Sequence, residues 1–175
     1  MARVTPPAGP PAEHKAEAPR SVRCYVLTVS DTRTVQNDTS GLAIRDLLVT
    51  GGHHVAGNGI VRDDPAQVTR AVREQLASDG VQVVITTGGT GISSRDGTFE
   101  AIDGLLEKRL DGFGELFRMI SFQEIGAAAM MSRATAGTVG RKAIFVLPGS
   151  EQAVRLAMTR LIVPELGHVL QQLSK

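Results

Sequence analysis

The run Val81-Gln82-Val83-Val84-Ile85, apolar at every position but one, leads directly into Thr86-Thr87-Gly88-Gly89-Thr90-Gly91 and constrains this chain more than any other stretch. A strand so short and so apolar is covered on both faces. That is the setting of a central strand in a parallel sheet with helices packed on each side. A glycine-rich turn at its carboxyl end stands where ligands bind in open α/β sheets.

The flanking sequence continues the alternation. Residues 22–29 form a β-rich run that stops at Ser30-Asp31, and residues 42–49 carry apolar side chains at helical spacing, closed by Gly51-Gly52. Residues 54–61 predict a second strand and residues 65–76 a helix. Helices are expected near residues 98–106 and 114–122, then a buried strand over 143–147 and a closing helical region over 151–173, bent at Pro164. The pattern predicts a three-layer α/β domain, a mostly parallel sheet with helices on both faces. The loops at Ser30-Asp31 and at residues 61–64, 87–96 and 148–150 should then converge.

A length of 175 residues suits one domain, assigned to residues 21–175. Residues 1–20 are rich in Pro, Ala, Glu and Lys and nearly free of large apolar side chains, which predicts a flexible tail. Nineteen Lys and Arg against 18 Asp and Glu give a net charge of +1, so no single-sign field exists to hold nucleic acid, and 3% aromatics provide no stacking platform. No apolar run approaches the roughly 20 residues that span a bilayer, and no signal peptide opens the chain, so no membrane role is expected. One cysteine, Cys24, predicts a reducing, cytoplasmic setting and an inert strand thiol.

What remains is a small anionic ligand. Three glycines at 88, 89 and 91 let backbone N–H groups approach a phosphate, and the helix that follows adds a positive dipole end; a bare glycine turn is the alternative. The chain has no GxxxxGK[ST], and no GxGxxG follows its first strand, which argues against a P-loop NTPase and an ordinary NAD enzyme. Asp96 stands five residues past the glycine loop. It either favours the start of the helix opening at Thr98, a plausible N-cap, or reaches the ligand. At Asp63-Asp64, the segment Asp64, Pro65, Gln67 fits a capping box, which leaves Asp63 free. Asp63 and Asp96 could together hold a hydrated Mg²⁺ on substrate phosphates, because that ion commonly takes one or two carboxylates. Asp38, Ser40 and Gly41 read as the cap of the first helix. His53 and His54 point to opposite faces and cannot chelate one metal. Phe113, Leu116, Phe117 and Ile120 follow helical spacing, as core or as a subunit contact.

Five segments, taken in order, resemble the MoaB/MogA family of molybdenum cofactor biosynthesis proteins: Val29-Ser30-Asp31-Thr32-Arg33, residues 86–91, Arg95-Asp96-Gly97-Thr98, residues 112–122 and Leu147-Pro148-Gly149-Ser150. The stretch 112–126 is most similar to the MoaB branch. The resemblance runs from about Val22 to the end. It implies that molybdopterin and Mg·ATP are the substrates of a nucleotidyl transfer giving adenylyl-molybdopterin and pyrophosphate. By position, Asp63 and Asp96 correspond to the family's functional, metal-holding aspartates, and Gly88, Gly89, Thr90 and Gly91 to its phosphate-binding loop. Ser30, Asp31, Ser121, Pro148, Gly149 and Ser150 correspond to ligand-pocket segments. A homotrimer or homohexamer is implied too, with other proteins of the pathway as possible partners.

Two positions depart from many relatives, which have Pro where this chain has Phe99 and Arg62. The alternative reading is a non-catalytic pterin carrier or scaffold with the same fold and pocket, since a fold does not fix turnover. A generic nucleotide-binding domain of another pathway is disfavoured by the 112–126 segment.

Overall fold

A computed structural model describes residues 18–175. The tail expected over residues 1–20 lies outside them except for its last three positions. There Pro19 turns its carbonyl onto Gly167, where a Cβ would stand 2.5 Å from that oxygen.

The chain folds in the order β1 (Arg23–Val29), α1 (Thr39–Thr50), β2 (His54–Val61), α2 (Pro65–Ala77), β3 (Val83–Thr87), α3 (Thr98–Asp103), β4 (Lys108–Arg109) and α4 (Asp111–Ile125). A 3₁₀ turn (Gly126–Met131) leads to β5 (Thr135–Val139) and β6 (Lys142–Leu147); α5 (Glu151–Ala157), a π turn (Met158–Ile162) and α6 (Val163–Ser174) close the chain. The six strands form one sheet in the order β2-β1-β3-β6-β5-β4. The first four run parallel, and β5 and β4 are added antiparallel.

Burial on both faces explains the continuous apolar runs in the central strands. Cys24, Val26, Val83, Ile85, Phe145 and Leu147 pack against α1, α4, α5 and α6 on one face. Leu27, Val29, Val84, Ile144 and Val146 pack against α2 and α3 on the other. This is the expected three-layer arrangement. Register then levels the strand ends: Val29 pairs with Val61, Thr28 with Thr87, and Thr87 with Leu147. The loops that follow β1, β2, β3 and β6 therefore leave the sheet side by side.

Two expectations change, and an open alternative is decided. The helix foreseen to residue 106 stops at Asp103, because Gly104 caps it and the chain turns to the edge strand β4. The closing helix departs from α-geometry before Pro164, which sits in the first turn of α6. Pro164 has no N–H for the carbonyl four residues earlier, and the ladder widens to a π turn ahead of it. Last, Phe113, Phe117 and Ile120 belong to the core, with Phe113 edge-on to Phe145 at 5.3 Å. The apolar side chains that α4 leaves in solvent are Leu116, Met119, Phe122 and Ile125, continued by Met130 and Met131. No helix among the described residues is long and apolar enough to cross a membrane.

Candidate functional site

The glycine loop leaves β3 and is tied at once to its neighbours. Gly88 N–H donates to Leu147 O at 3.1 Å, and Thr87 Oγ1 donates to Pro148 O at 2.8 Å. Ser40 Oγ, in the first turn of α1, donates to Gly149 O at 2.7 Å, which draws the 148–150 loop to the same end of the sheet. Asp38 caps α1 by accepting from Gly41 N–H at 2.9 Å, and its other oxygen accepts from Thr28 Oγ1 at 2.7 Å.

Both aspartates expected to hold a metal lie against this loop. Gly89 has φ +68°, and a Cβ there would stand 2.0 Å from Thr98 Oγ1 and 2.9 Å from Asp63 Oδ1, so only glycine lets the loop close on Asp63. At Gly91 a Cβ would stand 2.5 Å from Asp96 Oδ2. Each carboxylate has one oxygen engaged. Asp63 Oδ1 accepts from Thr98 Oγ1 at 3.2 Å, and Asp96 Oδ2 accepts from Ser93 N–H at 2.9 Å. Among the described residues no three His, Cys, Asp or Glu side chains gather around one point. Asp63 meets the loop at Gly89 and Asp96 meets it at Gly91, each with one oxygen left over, and carboxylate oxygens of this kind suit a hard cation completing its shell with phosphate oxygens and water.

Asp64 behaves as its spacing predicts. It caps α2 by accepting from Gln67 N–H at 2.8 Å, with Pro65 following. Thr98 does not cap α3. That position is Gly97, and Thr98, fully buried as the first helical residue, spends its hydroxyl on Asp63 and its N–H on Gly89 O at 3.1 Å.

Asp31 and Ser30 form the rim. Ser30 Oγ accepts from the N–H groups of Thr32 and Arg33, and Asp31 Oδ1 accepts from Asp63 N–H at 3.3 Å. Asp31 Oδ2 meets Arg95 Nη2 at 3.2 Å, with 83% of the Arg95 side chain in solvent, an ion pair that contributes little to stability and that a ligand can displace. Arg62 is exposed beside Asp63. Ser150 caps α5 by accepting from Ala153 N–H at 3.3 Å, and it lines a cavity of about 60 Å³ together with Ser121, Glu124 and Gln152. Ser121 thus joins the 148–150 loop. The aspartates are gathered separately, around the glycines.

Arg133, between the 3₁₀ turn and β5, is marked by no motif. Its Nε donates to Thr90 O at 3.1 Å, and its Nη2 to Gly91 O at 2.5 Å and Asp96 O at 3.4 Å. Its Nη1 meets the Glu100 carboxylate, whose pKa it lowers, and its guanidinium lies 5.0 Å from the centre of the Phe99 ring. Phe99 is therefore part of an arginine contact.

Residues 25–168 match the family described as "Probable molybdopterin binding domain". Molybdenum cofactor biosynthesis protein B of Bacillus cereus is 52% identical over 164 residues, covering 93% of this chain and 97% of that protein. A crystal structure of a molybdenum cofactor biosynthesis protein B superposes with a TM-score of 0.88 at 52% identity, covering 90% of this chain and 99% of the other. The tungsten cofactor synthesizing protein MoaB from Pyrococcus furiosus superposes with a TM-score of 0.80 at 40% identity, covering 90% and 100%.

Proposed function

The chain belongs to the MoaB/MogA family of molybdenum cofactor biosynthesis proteins, on its MoaB side, and from that membership we propose that it is a molybdopterin adenylyltransferase. In this reading an oxygen of the terminal phosphate of molybdopterin attacks the α-phosphorus of ATP. A new P–O bond forms, the α–β bridge breaks, and pyrophosphate leaves with the electron pair.

The observation that carries the proposal is the placement of Asp63 and Asp96 against Gly89 and Gly91. With Gly88 N–H engaged by Leu147 O, the N–H groups further along the loop, at Gly89 and Gly91, would bind phosphate, and the two carboxylates would hold Mg²⁺ through their unengaged oxygens. When bound, Mg²⁺ neutralises charge on the transferring and leaving phosphates. Asp63 is held in place by Thr98, and Asp96 by Ser93. Transfer between phosphates needs positioning and charge neutralisation, and no nucleophile from the protein. Ser121 and the 148–150 loop supply a wall for the pterin.

The same reading places the protein in the cytoplasm as a homotrimer or homohexamer whose contacts cover Leu116, Met119, Phe122 and Ile125, exposed on α4. The test is pyrophosphate release by purified protein with Mg·ATP and molybdopterin. The expected result is one pyrophosphate per adenylyl-molybdopterin, abolished by a chelator. Molybdopterin binding with no release would assign the chain to the carrier class instead.

A further inference from the structure

The segment from Thr90 to Asp96 carries half of the proposed metal site yet lies outside every helix and strand. Its own ties are short-range: Ser93 N–H to Asp96, Arg95 N–H to Ser93 Oγ, and Asp96 N–H to Ser93 O. A further tie, the exposed Arg95–Asp31 ion pair at 3.2 Å, adds little, so such a loop opens locally at little cost. One side chain from elsewhere in the fold grips three of its carbonyls, at Thr90, Gly91 and Asp96, and that side chain is Arg133.

Each end of this grip is anchored. Arg133 begins the segment that enters β5, and Arg118 of α4 donates to the carbonyls on either side of it, Ser132 O at 3.5 Å and Ala134 O at 3.3 Å. Glu100 and the Phe99 ring, both on α3, fix the orientation of the guanidinium. A planar fork with five donors can serve three carbonyls and a carboxylate at once; an ammonium group on a flexible stem cannot. The electrostatic consequence follows. With three loop carbonyls engaged by a cation, their negative ends are compensated, and the loop presents a less repulsive surface to a phosphate.

We propose that Arg133 is the positioning residue of the site, holding the Thr90-to-Asp96 loop so that the Asp96 carboxylate and the glycine N–H groups meet the metal-bound phosphates. Arg133 touches no reacting atom. The proposal rests on the adenylyltransferase reading for its ligand but not for its geometry, and the two are tested apart.

Amide hydrogen exchange of the ligand-free protein addresses the geometry. Arg133→Lys should raise exchange across residues 90–96 by roughly tenfold or more while β3, residues 83–87, stays as protected as in the wild type. Glu100→Gln, which leaves the guanidinium in place, should raise exchange in the same segment by a smaller factor, and serves if the first variant folds poorly. Unchanged exchange in the loop, or a rise spread evenly over the whole chain, overturns the proposal.

Titration calorimetry with Mg·ATP in the absence of molybdopterin addresses the ligand. Arg133→Lys should weaken binding by roughly 10- to 100-fold, the scale on which groups that support metal ligands act, with molybdopterin affinity changed less than about twofold. Wild-type affinity for Mg·ATP in the variant overturns the positioning role even if its melting temperature falls. A wild-type protein that binds no Mg·ATP refutes the adenylyltransferase reading, and the exchange pattern still decides the role of Arg133.

Discussion

Thr98 Oγ1 donates to Asp63 Oδ1 at 3.2 Å, joining residues 35 apart, and the Gly89 backbone lies against both too closely for any side chain. A buried hydroxyl on the first residue of α3 thereby sets the rotation of a carboxylate at the end of β2. Thr98→Val keeps the shape and removes the donor. Stability should fall by about 1 kcal/mol, and AMP transfer should fall with it, whereas Thr98→Ser should retain transfer. Equal transfer rates in the Val and Ser variants would show that the bond does not orient Asp63.

Asp96→Asn keeps an oxygen for Ser93 N–H but removes the charge. A carboxylate that merely favours the start of α3 contributes about 0.3–1 kcal/mol of stability. One that neutralises charge at the transferring phosphate is worth roughly 10²-fold or more in rate. The expected result is near-wild-type melting, retained molybdopterin binding and AMP transfer reduced by that factor, with Asp63→Asn alike. Near-normal transfer at limiting Mg²⁺ would remove Asp96 from the site.

Asp64→Ala tests the neighbouring carboxylate, which caps α2. Chemical denaturation should show a loss of about 1 kcal/mol, and pyrophosphate release per folded protein should be unchanged.

Asp63 and Asp64 also show how much of the site was legible beforehand. Aspartate, proline and glutamine at fixed spacing form a local motif, so the cap could be read from sequence and the other aspartate set aside for the ligand. The central strands were legible for a similar reason, since burial on both faces leaves an apolar run. Thr135–Val139 carries little strand signal because its interior positions are small: Ala136 is fully buried, and at Gly137 a Cβ would stand 2.4 Å from Lys108 O and 2.7 Å from the Leu106 side chain. Its only signal is the two-residue turn Gly140-Arg141 between paired Val139 and Lys142. Arg133 was not legible. Its partners are carbonyls about 40 positions away, and backbone acceptors leave no trace in a sequence.

Burial pushes the Cys24 thiol up to about 12 from an ordinary 9.0. A raised value favours the folded state below pH 9, and that contribution is lost as pH rises from 9 toward 12. At pH 8 the folded protein should react with a thiol reagent only at its rate of opening, while urea-unfolded protein reacts at once. Fast labelling of the native protein would show that β1 frays.

Phe122 is 61% exposed on the outer face of α4, so Phe122→Glu should leave the fold intact and weaken self-association. Light scattering at micromolar concentration is expected to show a trimer or hexamer for the wild type and smaller species for the variant. A wild-type monomer would end the oligomer proposal, and an unchanged variant assembly would move the contact to another face.

The strand β4 is two residues long, and both of them, Lys108 and Arg109, are charged and exposed. Open sheets recruit further strands, from their own kind or from unfolded chains, through long uncharged borders where backbone donors and acceptors stand unmatched. This border is too short to template such growth, and Lys108, beside an Arg109 paired with Asp103, sets an exposed charge where a second copy would have to be brought up. The molecule is thereby protected from fibrous, edge-to-edge polymerisation on that side.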